Sequence, residues 1–282
     1  MKTINSTTIT QKVKELFLNL NYNIPDDITC ALQHGLEAEE LPLPKNVLTQ
    51  LLQNNQIAAQ EQVPICQDTG MAVLFVEYGQ NVTVQGDSFS NALNDGVRLA
   101  YKDGYLRKSV VADPIFGRVN TDDNTPCIVH TDIVPGEQIK ITAAAKGFGS
   151  ENMSCLKMLT PSAGLDGVKD YILGAVKAAG PNPCPPIVVG VGIGGDMEKA
   201  AILAKKATLR GVATPNQNEN YSQLEAELLT EINKFNIGPA GLGGKTTALC
   251  VNIEAYPTHI AGLPVAVNIC CHACRHGEVV IS

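Results

Sequence analysis

Ile187-Val188-Val189-Gly190-Val191-Gly192-Ile193-Gly194-Gly195 is the stretch whose reading decides the fold. It opens as a short β-branched apolar run, the signature of a buried strand. Glycines then break the run, and from about Asp196 to Lys206 the apolar positions fall at helical spacing. A further helix precedes the strand, beyond Gly164, and another is expected from about Ser222 to Asn236, with two strands near the C-terminus. Strands alternating with helices place the chain in the α/β class, in a mixed α+β form.

Working back toward the N-terminus, residues 1–60 read as helical. Val13, Leu16, Phe17 and Leu20 share one helical face. Pro25 with Asp26 and Asp27 suits the opening turn of a second helix. Val47, Leu48, Leu51 and Leu52 suggest a third, after a Pro42/Pro44 linker. Met71–Tyr78 and Gln138–Ala145 read as strands, and a helix contains Val97, Leu99 and Ala100. Residues 107–130 are polar and suggest a long functional loop. The expectation is a helical N-terminal segment followed by mixed sheets flanked by helices. It forms one domain over residues 1–282, with a soft boundary between two lobes near 160–165, where Pro161 and Gly164 interrupt the pattern.

A chain of 282 residues can bury a large core, and with 44% hydrophobic residues and no Trp that core rests on Val, Ile, Leu and Ala. A net charge of −7 argues against a nucleic-acid surface. No run of about 18 apolar residues suggests a membrane span, and Met1–Asn5 lacks the apolar stretch of a secretory signal, so the expected location is cytoplasmic. Nine cysteines in a reducing compartment are not a disulfide framework. Each taken alone reads as a small core hydrophobe.

Three segments give cysteines a context. Pro64-Ile65-Cys66-Gln67-Asp68-Thr69-Gly70 sets a thiol beside an amide and a carboxylate, a combination able to hold a metal, bind a carboxylate and move a proton; it reads equally as a turn with an incidental cysteine. Asn182-Pro183-Cys184-Pro185-Pro186 stiffens a cysteine with prolines, as a metal ligand or as a plain junction to the following strand. In Cys270-Cys271-His272-Ala273-Cys274-Arg275, the C-x-x-C pair lacks the second pair of a closed zinc site, and its C-terminal position does not suit a redox dithiol. If Cys66, Cys184 and Cys271 meet, they supply three thiolates, which would leave one iron of a four-iron cluster open as a Lewis acid.

Two glycine motifs compete with that reading. Gly190, Gly192 and Gly195 fit G-x-G-x-x-G, yet Lys205, Lys206 and Arg210 stand where an acidic residue is required. The turn is expected either to present helix-terminal amides to a carboxylate or to pack closely. Gly244-Lys245-Thr246 resembles a phosphate loop, but Pro239 replaces its first glycine. Arg107 and His259 are single polar residues, readable as a surface cation and a buried imidazole, or as a carboxylate clamp and a proton shuttle.

Taken together, Cys66-Gln67-Asp68-Thr69-Gly70, Lys146-Gly147-Phe148-Gly149-Ser150-Glu151-Asn152, Cys184-Pro185-Pro186, Gly243-Gly244-Lys245, Pro257-Thr258-His259 and Cys271 with Arg275 carry a resemblance. In this order they resemble the α subunit of class I (iron–sulfur) fumarate hydratases, and the related L-tartrate dehydratase α subunit, over about residues 8–281. The resemblance implies a [4Fe–4S] cluster held by Cys66, Cys184 and Cys271, with one iron not ligated by the protein. It implies that Asp68 and His259 are catalytic, and that Gln67, Arg107 and Gly149 bind a small dicarboxylate substrate. Cys270 and Cys274 depart from the family pattern. The resemblance further implies a separate β subunit that completes the active site in an α/β hetero-oligomer. Residues 147–152 look like the fumarase version, so fumarate is expected, with L-tartrate as the alternative substrate. The rivals from other classes are a nucleotide-binding domain around 190–196 and a non-catalytic iron–sulfur or zinc module.

Overall fold

The structure is a computed structural model and describes all 282 residues. In chain order the elements are β1 (Lys2–Asn5), α1 (Ser6–Tyr22), α2 (Asp26–Ala38), α3 (Pro42–Glu61), β2 (Met71–Gly79), β3 (Val82–Gln85), α4 (Phe89–Asp103), β4 (Ile128–Val134), β5 (Ile139–Lys146), α5 (Phe148–Glu151), β6 (Cys155–Leu159), α6 (Gly164–Ala179), β7 (Ile187–Gly194), α7 (Met197–Ala207), α8 (Glu219–Asn233), β8 (Ala248–Tyr256), β9 (Leu263–Cys270) and β10 (His276–Ile281). The chain divides into two compact units. The first comprises Met1–Pro25, Asn55–Gly147 and Arg275–Ser282; the second comprises Asp26–Asn54 and Phe148–Cys274.

In the first unit, a four-stranded sheet of order β10-β5-β2-β4 is antiparallel except for the parallel β2–β4 pair. Central strand β2 has neighbours on both sides, and its residues Ala72 to Val76 are all buried, which explains their continuous apolar run. Helix α1 starts where the Asn5 side chain accepts the Thr7 N–H (2.9 Å), capping an orphan donor. Its apolar stripe of Ile9, Val13, Leu16, Phe17 and Leu20 joins one core with Leu93, Val97 and Tyr101 of α4. The two helices meet closely, since a Cβ on Gly96 would lie 2.6 Å from the Val13 side chain.

The second unit repeats the pairing pattern in the order β6-β9-β7-β8, with β7–β8 parallel and the other pairs antiparallel. Every residue of β7 is buried. Its core joins Val189 and Val191 to Ile172 of α6 and to Leu228 and Ile232 of α8. Helix α7 begins on Asp196, whose carboxylate accepts the Lys199 N–H (2.9 Å), and it ends with Lys205 and Lys206 in its last turn, each charge favourable to the helix dipole.

The mixed α/β character and the helical N-terminal region agree with expectation. Other details are corrected. Pro42 and Pro44 are no linker but lie in the first turn of α3, where a missing N–H costs nothing. Three strands, not two, close the chain. Strand β4 begins at Ile128, shortening the expected loop, and β1, β3 and β6 were not anticipated. No helix is long and apolar enough to cross a membrane.

Candidate active site

In the first unit the segment Cys66–Gly70 leads into β2 and is held by backbone ties on every side. The Ile65 N–H donates to the Asn21 carbonyl (2.9 Å). The Thr69 hydroxyl donates to the Arg107 carbonyl (2.7 Å). The Tyr101 hydroxyl faces the carbonyls of Thr69 (2.7 Å) and Gly70 (2.9 Å). Burial raises the Tyr101 phenol far above its ordinary range; Arg275 opposes the rise and Asp68 adds to it, so the hydroxyl stays a donor. Buried Asn124 closes the frame, donating to Gly70 O (3.1 Å) while its own oxygen accepts the Ser109 N–H (2.8 Å). Gly70 has φ +77°, and a Cβ there would lie 2.7 Å from the Ala145 backbone, so only glycine fits. The structure therefore joins Cys66, Gln67 and Asp68 to the Arg107 segment. Asp68 Oδ1 accepts the Gly70 N–H (3.0 Å), and the Cys66 thiol points to Gln67 Oε1 (3.4 Å). Cys66 and Asp68 are half-buried, whereas Gln67 and Arg107 are exposed.

The second unit brings Cys184 and Cys271 together: the His272 N–H donates to the Cys184 carbonyl (3.3 Å). Cys184 is exposed and held at φ +56°, a strained conformation for a residue with a Cβ. Its loop is fixed by Cys184 N–H to Pro181 O (3.1 Å) and by Ala240 N–H to Pro185 O (2.8 Å). Cys271 follows β9 and is half-buried. Cys270 is the buried last residue of β9, facing Val188, and Cys274 is buried with its thiol directed to Thr208 O (3.4 Å).

Burial sorts the remaining thiols. It pushes Cys127 up to about 11 and Cys250 up to about 12, so both stay protonated. Cys155 is hydrogen-bonded to Tyr171. That leaves Cys30 on α2 beside Cys66, Cys184 and Cys271 as accessible thiols, all in the free form. No group of three or more His, Cys, Asp or Glu forms a shell for a single ion. An iron–sulfur cubane makes a different demand, because each thiolate takes a separate iron and the sulfurs need not touch. Accessible thiols outside any disulfide, on rigid loops, are the donor chemistry such a cluster requires.

His259 lies in an exposed turn, not buried as its plainer reading held. The turn is pinned by Gly195 N–H to Pro257 O (3.1 Å) and by the Thr258 hydroxyl to Gly195 O (2.8 Å). His259 Nδ1 accepts the Ala261 N–H (3.2 Å), which leaves the proton of the neutral ring on Nε2. Gly149 is exposed in the short helix α5, and a Cβ there would meet nothing within 4 Å.

The glycine motifs resolve into packing. Gly190 and Gly192 lie inside β7, where Cβ atoms would stand 2.2 and 2.0 Å from the α7 carbonyls of Ala204 and Ala200. The α7 N-terminus is already capped by Asp196. Around Gly244, the amides of Lys245 (3.0 Å) and Thr246 (2.7 Å) donate to the buried carboxylate of Glu39, so a side chain fills the place a phosphate would need. Replacing Glu39 by alanine strands both donors and is expected to cost about 2 kcal/mol. Urea unfolding measures this, and an unchanged midpoint would contradict the assignment.

The sequence did not mark Tyr101, Asn124 or Asn21 as part of the site. Their only signal is spatial, because each binds the Cys66 loop from a distant element.

The fold and donor set are those of a two-unit α/β protein with accessible thiols, carboxylate, arginine and histidine on rigid loops. A family model described as fumarate hydratase (Fumerase) matches residues 10–280, and the chain belongs to that family. It is 41% identical over 272 residues to a putative L(+)-tartrate dehydratase subunit alpha of Methanocaldococcus jannaschii, covering 95% of each chain. It is also 32% identical over 289 residues to the L(+)-tartrate dehydratase subunit alpha of Escherichia coli O157:H7, covering 100% of this chain and 94% of that one.

Proposed function

We propose that this chain is the α subunit of an iron–sulfur hydro-lyase that adds water reversibly across the double bond of a four-carbon dicarboxylate, converting fumarate to malate. A separate β subunit completes the site. Cys66, Cys184 and Cys271 would hold a [4Fe–4S] cluster, and the cytosol suits an enzyme whose nine cysteines are all free. The observation that carries this reading is the family match over residues 10–280, and it is supported by the free form of the three cysteines assigned to the cluster, with Cys184 exposed and Cys66 and Cys271 half-buried. When bound, the cluster supplies Lewis acidity at the iron that no thiolate takes.

The chain's own residues supply the rest. Removing water from malate requires a weakly acidic C–H to lose its proton, and Asp68 is the base. Its Oδ1 is fixed by the Gly70 N–H, which holds the carboxylate in one orientation. Arg107 grips a substrate carboxylate, and its backbone is tied to the same loop through Thr69. Gln67 and the Gly149 backbone offer further hydrogen bonds to the substrate. His259 is the second candidate for proton transfer, in the role the family resemblance gives it.

The test is anaerobic reconstitution of the chain with iron, sulfide and its β partner, followed by the absorbance of fumarate. Hydration that decays on aeration is expected, and stable turnover in air would count against an open iron. A second reading, L-tartrate dehydration, is favoured by the names of the relatives, so both substrates belong in the assay. The Gly147–Asn152 segment favours fumarate, and a higher kcat/KM for L-tartrate would reverse the choice. Arg107→Ala is expected to raise KM about 30-fold with little change in kcat, because a charge-assisted clamp is lost equally from ground and transition states. Initial rates decide this, and an unaltered KM would remove Arg107 from the site.

A further inference from the structure

We infer that Arg275 is a positioning residue that orients Asp68 and steadies the Cys66 loop; this rests on the proposed hydro-lyase reading. Arg275 is 2% exposed, and a guanidinium so deep must be compensated. Three features of the first unit place it. Its Nη1 donates to Asn21 Oδ1 (3.2 Å), and the carbonyl of the same Asn21 accepts the Ile65 N–H (2.9 Å), one residue before Cys66. Asn21 is itself fully buried and its amide donates to Phe17 O (2.9 Å), so Arg275 presses on a fixed lever. The Arg275 carbonyl accepts the Ala145 N–H (3.2 Å), locking its backbone to β5.

The third feature is Gly147. A Cβ built there would stand 3.2 Å from Asp68 Oδ2 and 3.6 Å from Arg275 Nη2, so carboxylate and guanidinium both lie beside the same point. Asp68 thus has one oxygen fixed by the Gly70 N–H and the other beside the point that the buried guanidinium also approaches. The guanidinium Nε makes no hydrogen bond, so Asn21 and the nearby Asp68 carboxylate are the polar groups set around this buried charge. Because Arg275 is buried, it holds the base rather than the substrate. Its loss should lower kcat and leave KM in place.

A double-mutant cycle in the full-length α chain tests the pair. Urea midpoints are measured for Arg275→Gln, Asp68→Asn and the double variant. A double variant no less stable than Arg275→Gln alone is expected, and additive losses would overturn the pairing. In the reconstituted α/β enzyme, Arg275→Lys serves as the milder variant should Arg275→Gln fold poorly. It is expected to lose about 100-fold in kcat with KM within about 2-fold, the cost of a displaced catalytic group. Added guanidinium should restore part of the kcat of Arg275→Ala. A raised KM with kcat retained would overturn the positioning role. If the wild-type enzyme turns over neither fumarate nor L-tartrate, the hydro-lyase reading falls, and the cycle still decides the Arg275–Asp68 pair by coupling or additivity.

Discussion

Cys184→Ser is expected to abolish the visible absorbance of the reconstituted cluster and to lower kcat/KM by at least about 1,000-fold, since Lewis-acid assistance of several kcal/mol is lost with it. A serine oxygen is a poor substitute for a thiolate at iron. The fold should survive, because the sulfur is exposed and the loop is held by main-chain bonds: Cys184 N–H to Pro181 O, His272 N–H to Cys184 O and Ala240 N–H to Pro185 O. Two controls sharpen the result. Cys30→Ser, on the exposed face of α2, should change neither cluster nor stability. Cys274→Ser, whose hydroxyl can keep the bond to Thr208 O, should leave the cluster intact. A Cys184→Ser protein with a full cluster spectrum would move the ligand elsewhere. If Cys274→Ser alone lost the cluster, the C-terminal ligand would have to be reassigned within the C-x-x-C pair.

What the sequence made legible follows from where the information lies. The stripe from Val13 to Leu20 sets one face of α1 through neighbours a turn apart, so it can be read without the rest of the molecule. Strand β2 is equally legible, since burial on both faces forces a continuous apolar run. Strand β4 is not: most of Ile-Val-His-Thr-Asp-Ile-Val is exposed at the sheet edge, so composition gives little contrast with a loop. In the site, Cys66 to Gly70 declares itself as a local cluster of chemistry. Tyr101, Asn124 and Arg275 do not, because their roles exist only once α4, the 107–127 loop and the C-terminal segment are folded against β2. The glycines of 190–195 were ambiguous for a related reason. Absence of a side chain can admit a ligand or a backbone, and only the neighbour tells which.

Gly192→Ala is where that ambiguity has its largest consequence. The added methyl would stand 2.0 Å from Ala200 O, 2.6 Å from Ala204 N and 2.9 Å from Leu203 Cβ. None of these atoms can swing aside as a side-chain tip would: two belong to the α7 backbone and the third is a Cβ. Gly192 has no left-handed φ to relieve, so the entire effect is steric. Helix α7 would have to lift from β7, uncovering Ala200, Ala204 and Ala266, which pack there as a small buried cluster. A loss of about 3 kcal/mol or more is expected, a large part of the total stability of a typical domain. Gly149→Ala is the matched control: with nothing within 4 Å of the new Cβ, its unfolding free energy should stay within about 0.5 kcal/mol of the parent chain. A ligand-binding role for the 190–195 glycines predicts the reverse, a Gly192→Ala chain that folds with the wild-type midpoint and loses only affinity. Soluble, fully stable Gly192→Ala protein would therefore refute the packing of α7 on β7 described here and return the motif to the nucleotide reading.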